Sequence, residues 1–163
     1  MGAKYLVRVG SAGAYQSHIA LGDLIIAEAA VRDDGGSANY APISYPALAN
    51  RQLVNGLIDF MRQHQHGYHC GVVRSHDSFY VDNELDICRK WHHLGVLGAD
   101  METAALLTVG RLRHVAVASI LNNVVRYGED VAAGVSDYAS AEKAMMHAEL
   151  LAARAALTAL INL

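Results

Sequence analysis

The sequence contains few of the residues that mark secreted, metal-bound or nucleic-acid-binding proteins. Its 163 residues include two cysteines, Cys70 and Cys88, without a CxxC pair, so neither a disulfide framework nor a zinc knuckle is indicated. Lysine and arginine number 13 against 16 acidic residues, and this formal net charge of −3 offers no basic field to a phosphate backbone. No apolar run approaches the roughly 20 residues that span a bilayer, and the first residues do not begin a signal peptide. We therefore expect a cytoplasmic protein without nucleic-acid or membrane partners.

The residues that are abundant indicate a folded core. Hydrophobic residues make up 53% of the chain and charged residues 18%, which is enough for one domain over residues 1–163. Strand-like and helical patterns alternate and predict an α/β domain with a largely parallel or mixed sheet. We expect strands at Lys4–Val9, Leu21–Val31, Gly71–Arg74 and His114–Leu121, helices at Ala47–Gln65, Thr103–Leu112 and Ala139–Leu163, and loops at Gly10–Gly13, Arg32–Asn39 and from Asn122.

Two acids, Asp100 and Glu102, flank Met101 at the start of an apolar helical run. Their spacing fits an acidic first turn, where carboxylates accept hydrogen bonds from backbone N–H groups and oppose the helix dipole. Capping needs only one acid, however. Two carboxylates in a buried setting could also accept hydrogen bonds from the vicinal hydroxyls of a sugar. Both interpretations remain open on spacing alone.

Arg8 stands inside an otherwise apolar strand and is followed by Gly10-Ser11-Ala12-Gly13. A buried guanidinium needs an anionic partner, because leaving it unpaired is costly. The glycine segment could present N–H groups and the Ser11 hydroxyl to an anion. It lacks the spacing of dinucleotide and P-loop sites, and a tight turn accounts for it equally well.

Two other patterns are weaker. The spacing of His64, His66 and His69 matches no common zinc motif and is typical of a solvated surface. Ser75, His76 and Asp77 are neighbours in the sequence, whereas a hydrolytic triad is assembled from distant segments. We therefore expect neither a metal site nor a triad.

Five segments stand out in order along nearly the whole chain: RVGSAGAYQ (Arg8–Gln16), LGDLIIAEAAVRDDGGSANYAPISYPA (Leu21–Ala47), SHDSFY (Ser75–Tyr80), GVLGADMETAALLTVGRLR (Gly95–Arg113) and ASILNNVV (Ala118–Val125). Together they resemble the nucleoside phosphorylase family and, within it, the uridine phosphorylases. The resemblance implies a phosphorylase/hydrolase-like α/β fold with a central mixed sheet flanked by helices. It also implies phosphorolysis of uridine-type nucleosides to free base and ribose 1-phosphate, with phosphate as co-substrate, no metal or other cofactor, and a homo-oligomer of two or more chains.

The same resemblance assigns roles to individual residues. Arg8 and Glu102 would be the catalytic residues, and Arg8 and Ser11 would contact phosphate. Met101 and Glu102 would hold the ribose, with Asp100 in a supporting role. The residues that would line the base pocket are Ala12, Gly13, Phe79, Asn83, Ile120 and Leu121.

The sequence departs from the family pattern in three places. Asn83 and Leu85 stand where some uridine phosphorylases read uracil with a glutamine and an arginine, so the arginine's contribution is absent. Asn122 and Asn123 stand where purine-directed relatives carry an acid, which counts against a purine base.

Relatives also carry a segment before the first strand that completes the phosphate site. The resemblance therefore predicts an N-terminally truncated chain with weak or no phosphorolysis. The alternative function is a non-catalytic nucleoside-binding protein, or a truncated remnant or assembly subunit of the same family.

Overall fold

The computed structural model describes residues 2–78, 80–128 and 142–163, and these form a mixed β-sheet flanked by helices. The mixed sheet predicted from the sequence is confirmed. In chain order the elements are β1 (Tyr5–Ala14), β2 (Leu24–Asp33), α1 (Gly35–Ala38), β3 (Ala47–Leu48), α2 (Arg51–His64), β4 (Tyr68–His76), α3 (Glu84–His93), β5 (Gly98–Asp100), α4 (Thr103–Leu112), β6 (Ala116–Val125) and α5 (Glu142–Ile161).

Five of the strands close into a ring. The strand order is β3-β2-β4-β5-β1-β6, and β6 also pairs with β2. The β2–β4, β4–β5 and β1–β6 pairs are parallel, whereas β1–β5 and β2–β6 are antiparallel. The short strand β3 adds to the far half of β2. Strands from the two ends of the sequence therefore lie side by side.

Alternating side chains on β2 and β6 belong to two separate hydrophobic cores. Leu24, Ile26 and Ile120 pack with residues of α2 and α5, while Ile25 and Leu121 pack with residues of α4. Successive residues of a strand point to opposite faces, so each strand can serve both cores. All five of these side chains are fully buried.

The three predicted loops are wrong. Gly10–Gly13 belong to β1, where Gly10 pairs with Leu121 and Ser11 with Asn122. Strand β2 continues to Asp33, and α1 follows directly with Asp34 as its N-cap. Strand β6 runs on past Asn122 to Val125. In each case residue types that are common in loops are instead held in a strand by backbone hydrogen bonds or form a helix cap.

The predicted helices are confirmed with adjusted ends. Helix α4 has its predicted bounds, and α2 begins at Arg51 because the Asn50 side chain accepts a hydrogen bond from the Leu53 N–H at 3.1 Å. Helix α5 is described from Glu142, and the predicted start, 139–141, lies outside the described residues. Helix α3 was not predicted from its polar sequence. None of the helices in the described part of the chain is both long and apolar enough to cross a membrane.

Two glycines at the β1–β5 contact give a test of this packing. A Cβ on Gly98 would lie 2.6 Å from the Gly13 carbonyl oxygen, whereas a Cβ on Gly13 would meet its nearest neighbour, Val125, at an ordinary 3.5 Å. We expect Gly98→Ala to lower the free energy of unfolding by about 1–3 kcal/mol, because backbone must move to accept the methyl group. Gly13→Ala should cost less than about 1 kcal/mol. Urea denaturation measures both, and equal losses would contradict the described contact.

Candidate functional site

A cavity of about 260 Å³ lies where strands β1, β4, β5 and β6 end. Ligands of α/β proteins commonly bind at the carboxyl ends of strands, where the chain leaves the sheet. The lining residues are Arg8, Ser11, Ala12, Gly13, Ala14, Tyr15, His76, Glu84, Cys88, Ala99, Asp100, Met101, Glu102, Val124, Val125 and Arg126.

Arg8 forms an ion pair with both acids at the start of α4. Its Nη2 atom donates to the Glu102 carboxylate and lies 3.4 Å from Asp100 Oδ2. The Arg8 side chain is 16% exposed, that of Asp100 is 1% exposed and that of Glu102 is 61% exposed. The expectation that Arg8 has an anionic partner is confirmed. Glu102 can reach solvent and a ligand while it stays paired with Arg8.

Gly10 makes room for the Arg8 guanidinium. A Cβ on Gly10 would lie 1.6 Å from Arg8 Nη1, so any larger residue would displace this group. Arg8 Nη1 is also buried and has no hydrogen-bond partner among the described residues. A buried N–H group without an acceptor is unfavourable. An anionic group that reached Nη1 would therefore be stabilised.

Asp100 is held in a buried hydrogen-bond network. Its carboxylate accepts hydrogen bonds from the Thr103 N–H at 3.0 Å, the Thr103 hydroxyl at 2.6 Å and the Ser75 hydroxyl at 2.6 Å. The Ser75 hydroxyl in turn accepts from the Ala104 N–H at 2.8 Å. Glu102 occupies the N-cap position of α4 but makes no side-chain capping bond. The capping interpretation thus applies to Asp100, and the Glu102 carboxylate remains available for other partners.

Seven of the residues singled out from the sequence line the cavity together: Arg8, Ser11, Ala12, Gly13, Asp100, Met101 and Glu102. Asn83 is exposed at the start of α3 and is not part of the lining, but its neighbour Glu84 is. Ile120 and Leu121 lie in the two cores instead, because β6 reaches the cavity only at Val124 and Val125. Phe79 lies outside the described residues.

The side chains of Asn122 and Asn123 also point away from the cavity. Asn122 Nδ2 donates to the Met145 carbonyl at 3.3 Å, and Asn123 Nδ2 donates to the Ala20 carbonyl at 2.9 Å. Both residues are fully buried. The sequence argument against a purine base, which placed them near the base, therefore has no support from their position.

Sequence reasoning missed several lining residues, among them Tyr15, Glu84 and Cys88. Glu84 and Cys88 stand four residues apart on α3, and Cys88 Sγ donates to Glu84 Oε1 at 3.5 Å. Burial raises the pKa of Cys88 to about 12, and the neighbouring carboxylate of Glu84 adds to the effect. The spacing of four residues places Glu84 and Cys88 on one face of a helix and could have revealed this pair. The acidic residues around them made the segment look merely polar, so the helix was not predicted.

The histidines near the end of α2 bond to the protein itself. His69 Nε2 lies 2.9 Å from Asp23 Oδ2, and His66 Nε2 lies 2.9 Å from the Gly22 carbonyl oxygen. Within residues 2–78, 80–128 and 142–163, no group of three or more histidines, cysteines and acids is arranged to hold a metal ion.

The ring-closed mixed sheet defines an α/β protein, and the Arg8–Glu102 pair lies beside a cavity at the strand ends, where such proteins commonly bind ligands. The chain belongs to the phosphorylase superfamily, whose family model matches residues 1–162. The resemblance seen in the sequence is confirmed, as is the phosphorylase-type fold.

Several of the named relatives are uridine phosphorylases, and one is a guanosine phosphorylase of Halorubrum lacusprofundi. The chain is 32% identical to a uridine phosphorylase of Escherichia coli over 122 residues, which cover 67% of this chain and 48% of the relative. It is 46% identical to a uridine phosphorylase of Thermococcus kodakarensis over 81 residues, covering 50% of this chain and 29% of the relative. The chain thus spans about half the length of the Escherichia coli relative and less than a third of the Thermococcus kodakarensis relative.

A solved structure covers almost all of the chain. A uridine phosphorylase from Vibrio fischeri, in complex with 6-hydroxy-1-naphthoic acid, superimposes with a TM-score of 0.91 at 54% identity. The match covers 99% of this chain and 65% of that one. The described fold therefore corresponds to about two thirds of a phosphorylase chain.

The two acids at α4 should differ in their effect on stability. We expect Asp100→Ala to lower the free energy of unfolding by about 2–4 kcal/mol, because it removes a cap and leaves two buried hydroxyls without their acceptor. Glu102→Ala should cost less than about 1 kcal/mol, since its side chain is largely exposed. Chemical denaturation of the two variants tests this division. A loss for Glu102→Ala as large as for Asp100→Ala would show it to be wrong.

Cys88 should resist alkylation although it lines the cavity. Its raised pKa, about 12, keeps the thiol protonated at pH 8, and the thiolate is the reactive form. Modification should accelerate only as the pH rises toward that value. Peptide mass mapping after iodoacetamide treatment measures the rate, with urea-unfolded protein as the control. Equal rates in native and unfolded protein at pH 8 would contradict this prediction.

Proposed function

We propose that the protein cleaves uridine-type nucleosides by phosphorolysis, giving the free base and ribose 1-phosphate. The observation that carries this proposal is the Arg8–Glu102 pair beside the cavity, together with Ser11 and Met101. The named relatives support the choice of reaction, since they include uridine phosphorylases.

Different lining residues would bind the phosphate and the ribose. The Arg8 guanidinium and the exposed Ser11 hydroxyl would hold phosphate, and the Glu102 carboxylate would accept hydrogen bonds from the ribose hydroxyls. Met101 would provide an apolar contact for the sugar. Asp100 would support both by fixing the start of α4 and by countering the Arg8 charge.

The reaction requires positioning more than acid–base chemistry. The bond between C1′ and the base nitrogen breaks, and an oxygen of hydrogen phosphate bonds to C1′. The base leaves with the electron pair and gains the proton that the phosphate loses. Positive charge develops on the sugar during this exchange, so a carboxylate held beside the ribose stabilises the transition state. Phosphate as the sole co-substrate, a homo-oligomer and a cytoplasmic location belong to the same proposal.

A second candidate is a protein that binds nucleosides without turnover. The charges beside the cavity favour it, because Asp100 and Glu102 already counter Arg8 and Glu84 adds a further carboxylate. A phosphate dianion would meet this negative charge as it approached Arg8. Binding of a neutral nucleoside carries no such penalty.

Phosphate-dependent release of uracil from uridine tests the first candidate. We expect Glu102→Gln to lower kcat/KM by roughly a hundredfold, the scale of one lost electrostatic contact at a transition state. Gly10→Ala should also lower it, because the new Cβ displaces the Arg8 guanidinium without changing its charge. Asp59→Asn, an exposed change on α2, serves as the matched control.

Three outcomes are informative. Equal uracil release by the parent protein and Glu102→Gln would refute the site. Nucleoside binding in calorimetry without any release would favour the second candidate. Loss of release in the Asp59→Asn control would show that the assay reports general damage to the protein.

A further inference from the structure

A second polar cluster borders the same cavity and has no part in the bond exchange proposed above. The Tyr15–Glu84 cluster consists of Tyr15, Glu84 and Cys88, which line the cavity, and Arg74 and Asp33 beside Tyr15. Tyr15 directly follows β1, and the other residues lie on α3, β4 and β2, so the cluster forms only in the folded protein. Arg74 and Tyr15 are buried, so their polar atoms depend on partners within the protein or on a ligand.

The Tyr15 hydroxyl is available as a hydrogen-bond donor. Arg74 Nη1 donates to the Tyr15 oxygen at 2.9 Å, so this oxygen acts as an acceptor toward Arg74. Among the described residues, no hydrogen bond is found in which the Tyr15 O–H is the donor. Burial raises the pKa of Tyr15 to about 12, and the phenol therefore stays protonated at neutral pH although Arg74 acts in the opposite direction.

Arg74 is fixed on three sides. Its Nε and Nη2 atoms donate to Asp33 Oδ2 at 2.8 and 2.7 Å, and its guanidinium lies 5.3 Å from the centroid of the Trp91 ring. A guanidinium held in this way cannot turn away from Tyr15. It orients the Tyr15 hydroxyl and strengthens it as a donor.

Glu84 offers the complementary group. Its Oε1 atom accepts from Cys88, while its Oε2 atom is buried and has no partner among the described residues. The negative charge of Glu84 also raises the pKa of Tyr15, so the two groups are within electrostatic reach of each other. Two residues that line the cavity therefore carry a hydroxyl without an acceptor and a carboxylate oxygen without a donor among the described residues. Buried polar groups of this kind normally have partners.

We propose that Tyr15 and Glu84 recognise the nucleobase through an adjacent ring N–H and C=O, with Tyr15 donating to the carbonyl oxygen and Glu84 accepting from the N–H. This rests on the proposed function only in that a base enters this cavity. Uracil-type and hypoxanthine-type bases carry such an edge. Cytosine and adenine present a ring nitrogen acceptor there, which would face the Glu84 carboxylate. Arg74 is a positioning residue that acts through Tyr15.

Asn83 and Leu85 on the neighbouring segment are exposed and do not line the cavity. Tyr15, directly after β1, supplies the donor instead, and Arg74 on β4 holds it in place. The donor strengthened by Arg74 would also stabilise negative charge on a departing base.

Calorimetry with free bases tests the proposal without requiring turnover. We expect uracil to bind about tenfold more tightly than 3-methyluracil, which lacks the ring N–H, and than cytosine. Hypoxanthine is a purine with the same N–H and C=O edge. Its binding shows whether the site accepts this edge only on a pyrimidine or also on a purine. Equal binding of uracil and 3-methyluracil, or no binding of uracil, overturns the proposal.

Variants assign the discrimination to its residues. Tyr15→Phe should weaken uracil binding by about tenfold, and Glu84→Gln should reduce the preference for uracil over cytosine, because an amide can donate to the cytosine ring nitrogen. Arg74→Met should weaken uracil binding but not ribose 1-phosphate binding, and Arg74→Lys should restore part of the loss. Asp86→Asn, an exposed change on the same helix as Glu84, is the matched control and should bind as the parent does.

The proposal and the proposed function can fail separately. Uridine phosphorolysis with unchanged base preference in Tyr15→Phe and Glu84→Gln would overturn the base-recognition proposal and leave the function intact. Selective uracil binding without phosphorolysis would support base recognition and refute the function. Thermal unfolding confirms that each variant is folded, and if Tyr15→Phe does not fold, the Glu84→Gln result decides.

Discussion

The positive charge of Arg8 on a central strand imposes the main constraint on this structure. The charge must be countered where it lies, and Asp100 at the end of β5 and Glu102 at the N-cap of α4 do so. Asp100 in turn is held by Ser75 on β4 and by Thr103 at the start of α4. One polar network thus joins three strands and a helix at the cavity. Because its members are mostly buried, breaking one contact would leave its partners without solvent as a substitute.

The cavity has two chemically different sides. Arg8 and Glu102 carry full charges and approach solvent, which suits a sugar and an anion. Tyr15 and Glu84 present one hydroxyl and one half-buried carboxylate beside apolar side chains of α3 and β1. A nucleoside has the same division, with a hydroxyl-rich sugar at one end and a flat base with a polar edge at the other. The fold therefore matches its proposed ligand in chemistry along the length of the cavity.

Residues with strong local requirements could be located from the sequence. Helix α4 and the need of Arg8 for an anion follow from periodicity and from the cost of burying a charge. The end of β6 could not be located, because Asn122 and Asn123 are typical loop residues that are held extended by pairing with β1 and by contacts with β2 and the residues before it. The Tyr15–Arg74 contact was equally inaccessible. It joins Tyr15, directly after β1, to Arg74 on β4, and no local pattern encodes which strands become neighbours.

The ring of strands also governs when the protein can assemble. Strand β1 comes well before β6 in the sequence, yet the two are parallel partners, and β6 is also needed to close the ring through β2. These pairings cannot form until β6 has been synthesised, and long-range strand pairing is slow and aggregation-prone. Arg8 on β1 and Asp100 on β5 belong to the same ring of strands, so the sheet and the cavity at its strand ends form together.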